Sequence, residues 1–457
     1  MALVESGNGD VKTEATVPYP RPLYAWYVVA LLIVAYIVAF IDRGILALLI
    51  EPIKADLGLS DVQMAWLMGP AFGIFYATLG IPIGVLADRS NRRNIIVVGV
   101  ALWSAATAAC GLAANFLHLF VSRIMVGVGE ATLSPSAYSM ISDYFPRRTA
   151  LKAIGLYTMG QSIGAGLAFL LGAQVVLWVT QAQGVVWPLV GELEPWQMTF
   201  VVVGLPGILL AVVMLTIREP LRRGFMTGGA VGVRKRLPVA DTARFVLQRW
   251  RTFGAVFLGN SVITTIGYSY FWLPSMFQRT WGLDAATAGL YYGGVLAVFG
   301  PLGVITGARV SEVLYRRGRP DAPYLTFLAS VLLALPFAIL VPLAPGPLVA
   351  VALLCPAMFA MAMASASSSA AVVHVAPAEF RAQISALYLL VISLAGLFLG
   401  PTSVAMLTDY VFRDEALLRY SLLLVTVVVG SVGLVILLLG RTNYRRSAEE
   451  ADAWHQP

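Results

Sequence analysis

Four ionisable residues lie where an apolar chain offers them no water. Asp42 and Arg43 sit deep in the first apolar run, Arg123 and Glu130 in the fourth. Of the 24 Asp and Glu residues, only Asp42 and Glu130 fall well inside such a run; the others occupy loops, tails or a final turn, Asp143 and Glu312 among them. At 1.5 Å per helical residue, Asp42 lies about 12 Å from the outer end of its run. From the same side, Arg123 and Glu130 lie roughly 9 and 20 Å deep. Seven residues is nearly two turns, so Arg123 and Glu130 share one face of their helix. A charge at a bilayer centre costs at least ~2.5–3.5 kcal/mol, which favours a wet cavity and pairing. The matching chemistry is proton exchange and anion recognition. Asp42 and Glu130 are the proton-site candidates, because burial and an adjacent arginine act on a carboxyl in opposite senses. Arg123 is the first candidate for an anionic group and Arg43 the second, since a guanidinium pairs bidentately and stays charged. The competing reading is a static ion-pair network that holds two helices in register.

A second component lies in the other half of the chain. Asn260, Thr264, Tyr268 and Phe271 are spaced by four, four and three, one polar-aromatic stripe along a helix. The stripe suits the tail of an amphipathic ligand whose head meets Arg123, although such a stripe is more often plain helix packing. The three histidines are scattered and the two cysteines, Cys110 and Cys355, lie in apolar runs. No metal site, disulfide framework or nucleophile-base pair is expected, so an enzyme is a poor reading. A phosphate-cradling Gly-Lys-Ser/Thr loop is absent, and no cofactor is expected.

The elements that must position these residues are set by composition. The 457 residues are 59% hydrophobic and only 12% charged, with mean hydropathy +0.80. A soluble domain carries about a quarter charged residues, so a soluble enzyme, a nucleic-acid binder and a disordered scaffold are set aside. Twelve apolar runs approach the ~20 residues that cross a bilayer. They fall near 24–50, 62–87, 94–114, 117–142, 150–178, 196–217, 250–277, 285–313, 322–343, 347–372, 380–408 and 416–440, with a shallow break at Ala114–Leu117. Continuous rather than alternating apolarity selects helices over a barrel. The 31 Lys and Arg split 24 against four between alternate loop sets, with three inside helices. By the positive-inside rule both termini are then cytoplasmic. Residues 1–23 form a polar arm without a signal-peptide core, 218–249 a basic, Gly-bearing linker with a short amphipathic helix near 240–249, and 441–457 a tail. The expected architecture is an all-α membrane protein with six-helix bundles at 24–217 and 250–440. A bacterial inner membrane is expected from an arginine-to-lysine ratio of 27 to 4, with the bilayer and no nucleic acid as partner.

The two bundles share a signal. Pro146 to Tyr157 and Pro377 to Tyr388 each open a run with Pro and Tyr eleven residues apart and a basic residue between. Internal duplication marks transporters that bind substrate between repeats.

The stretch Gly84-Val-Leu-Ala-Asp88-Arg89-Ser-Asn-Arg92-Arg93 after the second run resembles the signature loop of the major facilitator superfamily, with Asn91 where Gly is usual. The resemblance implies a conformational latch of Gly84, Asp88, Arg89, Arg92 and Arg93, joined by Asp143, which ties the halves together on the cytoplasmic side in the outward-facing state. It also implies that the first and fourth helices line a central cavity, which would bring Asp42, Arg43, Arg123 and Glu130 into one cluster. Ile41-Asp42-Arg43, Gly127-Val-Gly-Glu130-Ala131 after Arg123, and the Asp143-Tyr-Phe-Pro146 exit resemble the Spinster branch. That narrower resemblance implies a monomeric, proton-coupled carrier of lysophospholipid or sphingosine 1-phosphate by alternating access. A proton-coupled carrier of a small organic anion or drug is the alternative.

Overall fold

The computed structural model describes residues 19–181, 186–187, 191–222, 239–377 and 379–453. Among these, eleven helices are long and apolar enough to cross a membrane. The first six expected spans are α1 (Pro22–Leu48); α3 (Asp61–Met68) with α4 (Pro70–Arg89); α5 (Arg92–Cys110); α6 (Phe116–Glu130) with α7 (Leu133–Tyr144); α8 (Arg147–Gln181); and α9 (Pro195–Met214). A short α2 (Ile50–Leu57) follows α1. The suspected break before Leu117 is real: Asn115 caps the start of α6 through the His118 amide. Residues 186–187 and 191–192 pair as a minimal antiparallel ladder.

The second half begins with the amphipathic helix, α10 (Val239–Gln248), and continues in α11 (Trp250–Ser269), a single turn at Tyr270–Trp272, and α12 (Leu273–Trp281). This is the expected seventh span and it is absent from the eleven. Asn260, Ser261, Thr264, Thr265, Tyr268 and Ser269 make it too polar to qualify by hydropathy. The remaining spans are α13 (Ala285–Arg316), α14 (Ala322–Leu340), α15 (Pro347–His374), α16 (Arg381–Leu394) with α17 (Gly400–Met406), and α18 (Leu418–Ala453). A π turn, Ala395–Leu399, joins α16 to α17. The residues expected to form a tail after 440 instead continue α18 to Ala453; the amino-terminal arm before 19 and linker residues 223–238 lie outside the described residues.

The start of α1 and the end of α18, an even number of crossings apart, lie at one face, here termed the terminal face. The Tyr24 hydroxyl donates to the Thr216 carbonyl at 3.0 Å, joining the start of the first span to the end of the sixth. Thr252 and Ser447 hydroxyls meet at 2.9 Å and do the same for the seventh and twelfth. The Pro-to-Tyr repeat acquires a physical meaning. The Tyr157 hydroxyl lies 3.4 Å from Ser134 Oγ, pinning α8 to α7, and the Tyr388 hydroxyl lies 2.8 Å from Ser368 Oγ, pinning α16 to α15.

The halves meet chiefly where α8 crosses α13 and where α3 and α4 meet α16 and α17. The first crossing is close because Gly166 has no side chain: a Cβ there would lie 2.5 Å from the Ala297 Cα. Small residues at such crossings supply the van der Waals contact that drives association in lipid. Leucines on the outer surface remain bare, Leu209 at 66% and Leu439 at 74% exposure, as expected of helices solvated by acyl chains. The chain is a multi-pass membrane protein.

Candidate functional site

A cavity of about 290 Å³ lies between the halves. Phe40 and Arg43 of α1, with Gln161 and Phe169 of α8, form its first wall. Thr264 and Tyr268 of α11, Phe271 just beyond, Tyr292 and Leu296 of α13, and Met358, Met361 and Ser365 of α15 form the other. Among the described lining residues Arg43 is the one formal charge.

Arg43 is held from two sides. Its Nε donates to Glu130 Oε2 at 2.7 Å, and Nη2 reaches the same oxygen. Its guanidinium also lies over the rings of Phe40, Phe72 and Tyr76, 4.6–4.9 Å from their centroids. Such stacking favours a desolvated guanidinium by about 2 kcal/mol or more. Glu130 Oε1 is buried and has no hydrogen-bond partner among the described residues. One carboxylate oxygen is therefore spent on Arg43 and the other is free to respond.

The expected cluster of four residues forms, with different partners from those the helical spacing suggested. Arg123 is only 1% exposed and is not part of the cavity wall. Its Nε donates to the Leu67 carbonyl at 3.3 Å and its Nη1 to the Asp42 carbonyl at 3.2 Å. The cause is the break between α3 and α4 at Gly69–Pro70: the last carbonyls of α3 lack intrahelical partners, and Arg123 fills the place. Arg43, placed second from the sequence, is the arginine that reaches the cavity. Asp42 is fully buried, and neither carboxylate oxygen has a hydrogen-bond partner among the described residues; the neighbouring Thr107 hydroxyl does not close the bond.

Three residues of the second-half stripe, Thr264, Tyr268 and Phe271, line the cavity. Asn260 does not. It lies one turn nearer the terminal face, buried, with its Nδ2 donating to the Tyr388 hydroxyl at 2.8 Å, and it ties α11 to α16.

The signature loop is anchored in the first half. Buried Arg92 donates to Glu219 at 2.7 Å, to Ser139 at 2.8 Å, to Asp143, and to the Pro220 carbonyl at 3.1 Å. The Arg93 amide donates to Glu219, and Arg222 donates to the Ala87 and Ser90 carbonyls that end α4. Partners found for these three arginines lie in the first bundle or in the opening residues of the linker, and none among the described residues lies in the second bundle. Gly84 packs toward Pro135 of α7, and Arg89 is exposed. The Asp88 side chain lies outside the described residues.

A group that sequence reasoning missed closes the opposite, far face. Arg279 at the end of α12 donates from Nη1 and Nη2 to the two oxygens of Asp61, at 2.7 and 2.8 Å, and from Nε to Glu51 at 2.9 Å. Lys54 bridges Asp61 to Glu415 Oε1, the latter at 2.8 Å. Two residues of the second half are thereby tied to three of the first. Beneath the knot the Leu397 carbonyl faces Gly69 so closely that a Cβ on Gly69 would sit 1.9 Å from it. In sequence each charge looks like an ordinary loop residue; the pairing exists only once distant loops converge.

The comparisons agree with this geometry. The family model described as Major Facilitator Superfamily matches residues 32–401. An MFS-type efflux pump of Mycolicibacterium smegmatis is 28% identical over 442 residues, covering 94% of this chain and 95% of that protein. A probable L-galactonate transporter of Escherichia coli is 26% identical over 76% of this chain and 75% of its own length. Among solved structures, a bacterial homolog of the human lysosomal transporter Spinster, inward-facing and unoccupied, superposes with TM-score 0.79 at 27% identity, covering 96% of this chain and all of that one. Fold, cavity and matched sequence converge, and this chain belongs to the Major Facilitator Superfamily as a Spinster-like transporter.

Proposed function

We propose that the protein carries a single-chain amphipathic anion, of the lysophospholipid or sphingosine 1-phosphate kind, by proton-coupled alternating access. The observation that carries this reading is the cavity wall: one cation, Arg43, set among Phe40, Phe169, Phe271, Tyr292, Leu296, Met358 and Met361. A phosphate takes guanidinium donors while an acyl chain lies along the aromatic and aliphatic side. The knot around Arg279 closes the far face. On the terminal side, a Cβ on Gly80 or Gly155 would meet no atom of the described residues within 4 Å. We read this arrangement as a state open toward the termini, the side that the excess of basic residues makes cytoplasmic.

Glu130 and Asp42 are the proposed proton sites. An anion that draws Arg43 away from Glu130 leaves a buried carboxylate without its counter-charge, and a proton is the cheapest replacement. Asp42, with no hydrogen-bond partner found for its carboxylate, is the second acceptor. Carriage of a small organic anion is the second reading, favoured by the galactonate transporter among the relatives and by Gln161 and Ser365 on the wall.

Purified protein in liposomes, loaded with labelled lysophosphatidate and separately with galactonate, tests both readings. Gradient-driven movement of the lysolipid alone is expected; movement of galactonate alone overturns the lipid assignment. Glu130→Gln is expected to abolish accumulation under a pH gradient while leaving substrate exchange. Normal accumulation by that variant removes Glu130 from the coupling scheme.

A further inference from the structure

Where α11 begins and α18 passes it, a second pocket of about 420 Å³ opens at the terminal face. Arg249, Arg251 and Arg446 line it against a single acid, Glu450. Glu450 lies 3.4 Å from Arg249, and no ion pair joins Arg251 or Arg446 to any acid among the described residues. The floor is polar and ordered: the buried Thr252 hydroxyl donates to the Asn443 carbonyl at 3.3 Å and meets Ser447 Oγ at 2.9 Å. Trp250 stands at the rim, 62% exposed, with the Arg251 guanidinium 5.6 Å from its ring centroid.

Below that charge the surface turns apolar. Leu258 follows Arg251 by seven residues and Leu439 precedes Arg446 by seven, so each leucine lies on its arginine's face, about 10 Å toward the bilayer centre. Both are bare, Leu258 at 51% and Leu439 at 74% exposure. A basic, tryptophan-rimmed mouth above an apolar flank matches the depth profile of a phospholipid, phosphate above and acyl chain below.

We infer that this pocket binds the phosphate of an anionic phospholipid through Arg251 and Arg446, with its chains beside Leu258 and Leu439. The site is separate from the central cavity and stands whatever the transported substrate proves to be.

Native mass spectrometry of the full-length protein in detergent, offered equal phosphatidylglycerol and phosphatidylcholine, reads the site directly. The wild type retains phosphatidylglycerol in roughly tenfold preference or more, as two interfacial arginines should give. R251Q/R446Q reduces that preference to near parity, and R251K/R446K, which keeps the charge, restores most of it. Should the double variant fail to fold, R446Q alone, on an exposed position, lowers the preference severalfold. Equal retention of the two lipids by the wild type, or an undiminished preference in R251Q/R446Q or in R446Q, overturns the inference. So does a site filled by inorganic phosphate in lipid-free protein that phosphatidylglycerol fails to displace, because that marks a soluble-anion site.

Discussion

Replacing Arg279 by Gln removes the group that holds the far face shut. Its fork on Asp61 is buried, with Arg279 at 8% and Asp61 at 0% side-chain exposure, whereas Glu51 is a quarter exposed and Glu415 more than half. The exposed contacts add little. The fork, a charge-assisted pair of hydrogen bonds across the two halves, is worth about 1.5–3 kcal/mol. Breaking a buried pair outright costs about 3–5 kcal/mol, but Lys54 remains beside Asp61 and keeps the loss below that limit. A tenfold population change corresponds to 1.4 kcal/mol, so the ratio of far-face-open to far-face-closed molecules should rise about 10- to 150-fold. Spin labels on cysteines replacing the exposed Ala55 and Ala416, one in each half, report that ratio by electron–electron distance measurement in a background without Cys110 and Cys355. The long-distance population should grow in Arg279→Gln and grow less in Arg279→Lys, which keeps charge but loses the fork. A distance distribution in Arg279→Gln identical to wild type would refute the assignment of the knot as the closing contact.

Two further outcomes follow from single contacts. Gly69→Ala places a methyl group against the Leu397 carbonyl, a clash that exists only while the halves meet; overpacking of this kind costs about 1–3 kcal/mol, and the same labels should report opening of the far face. Tyr388→Phe removes the hydroxyl that accepts from Asn260 and meets Ser368, leaving a buried amide donor unpaired; thermal unfolding in detergent should show a loss of about 1–3 kcal/mol, with the far-face distance unchanged.

Much of the architecture was legible because hydropathy and charge act locally. Apolar runs marked the spans, a shallow dip in apolarity at Ala114–Leu117 marked the break before α6, and the amphipathic segment appeared at Val239–Gln248. Depth alone singled out Asp42, Arg43, Arg123 and Glu130. What spacing could not supply was partner choice. Helical geometry put Arg123 and Glu130 on one face, yet the kink at Gly69–Pro70 offered Arg123 the Leu67 carbonyl and left Glu130 to Arg43 on another helix. The seventh span shows the converse: the polar residues that bring it toward the cavity and α16 are those that hide it from a hydropathy criterion. Asp61 and Arg279 lie 218 positions apart, and nothing local to either announces the other.

The central claim is that Arg43 reads a negative charge at the head of an otherwise apolar substrate. Equilibrium binding to the purified protein of two ligands that share an acyl chain, anionic lysophosphatidate and neutral monoacylglycerol, compared between wild type and Arg43→Gln, tests it most directly. A charge-assisted contact of about 1.5–3 kcal/mol predicts a 10- to 150-fold loss of lysophosphatidate affinity with monoacylglycerol little changed. Equal weakening of both ligands, or lysophosphatidate bound as tightly as by the wild type, would contradict it.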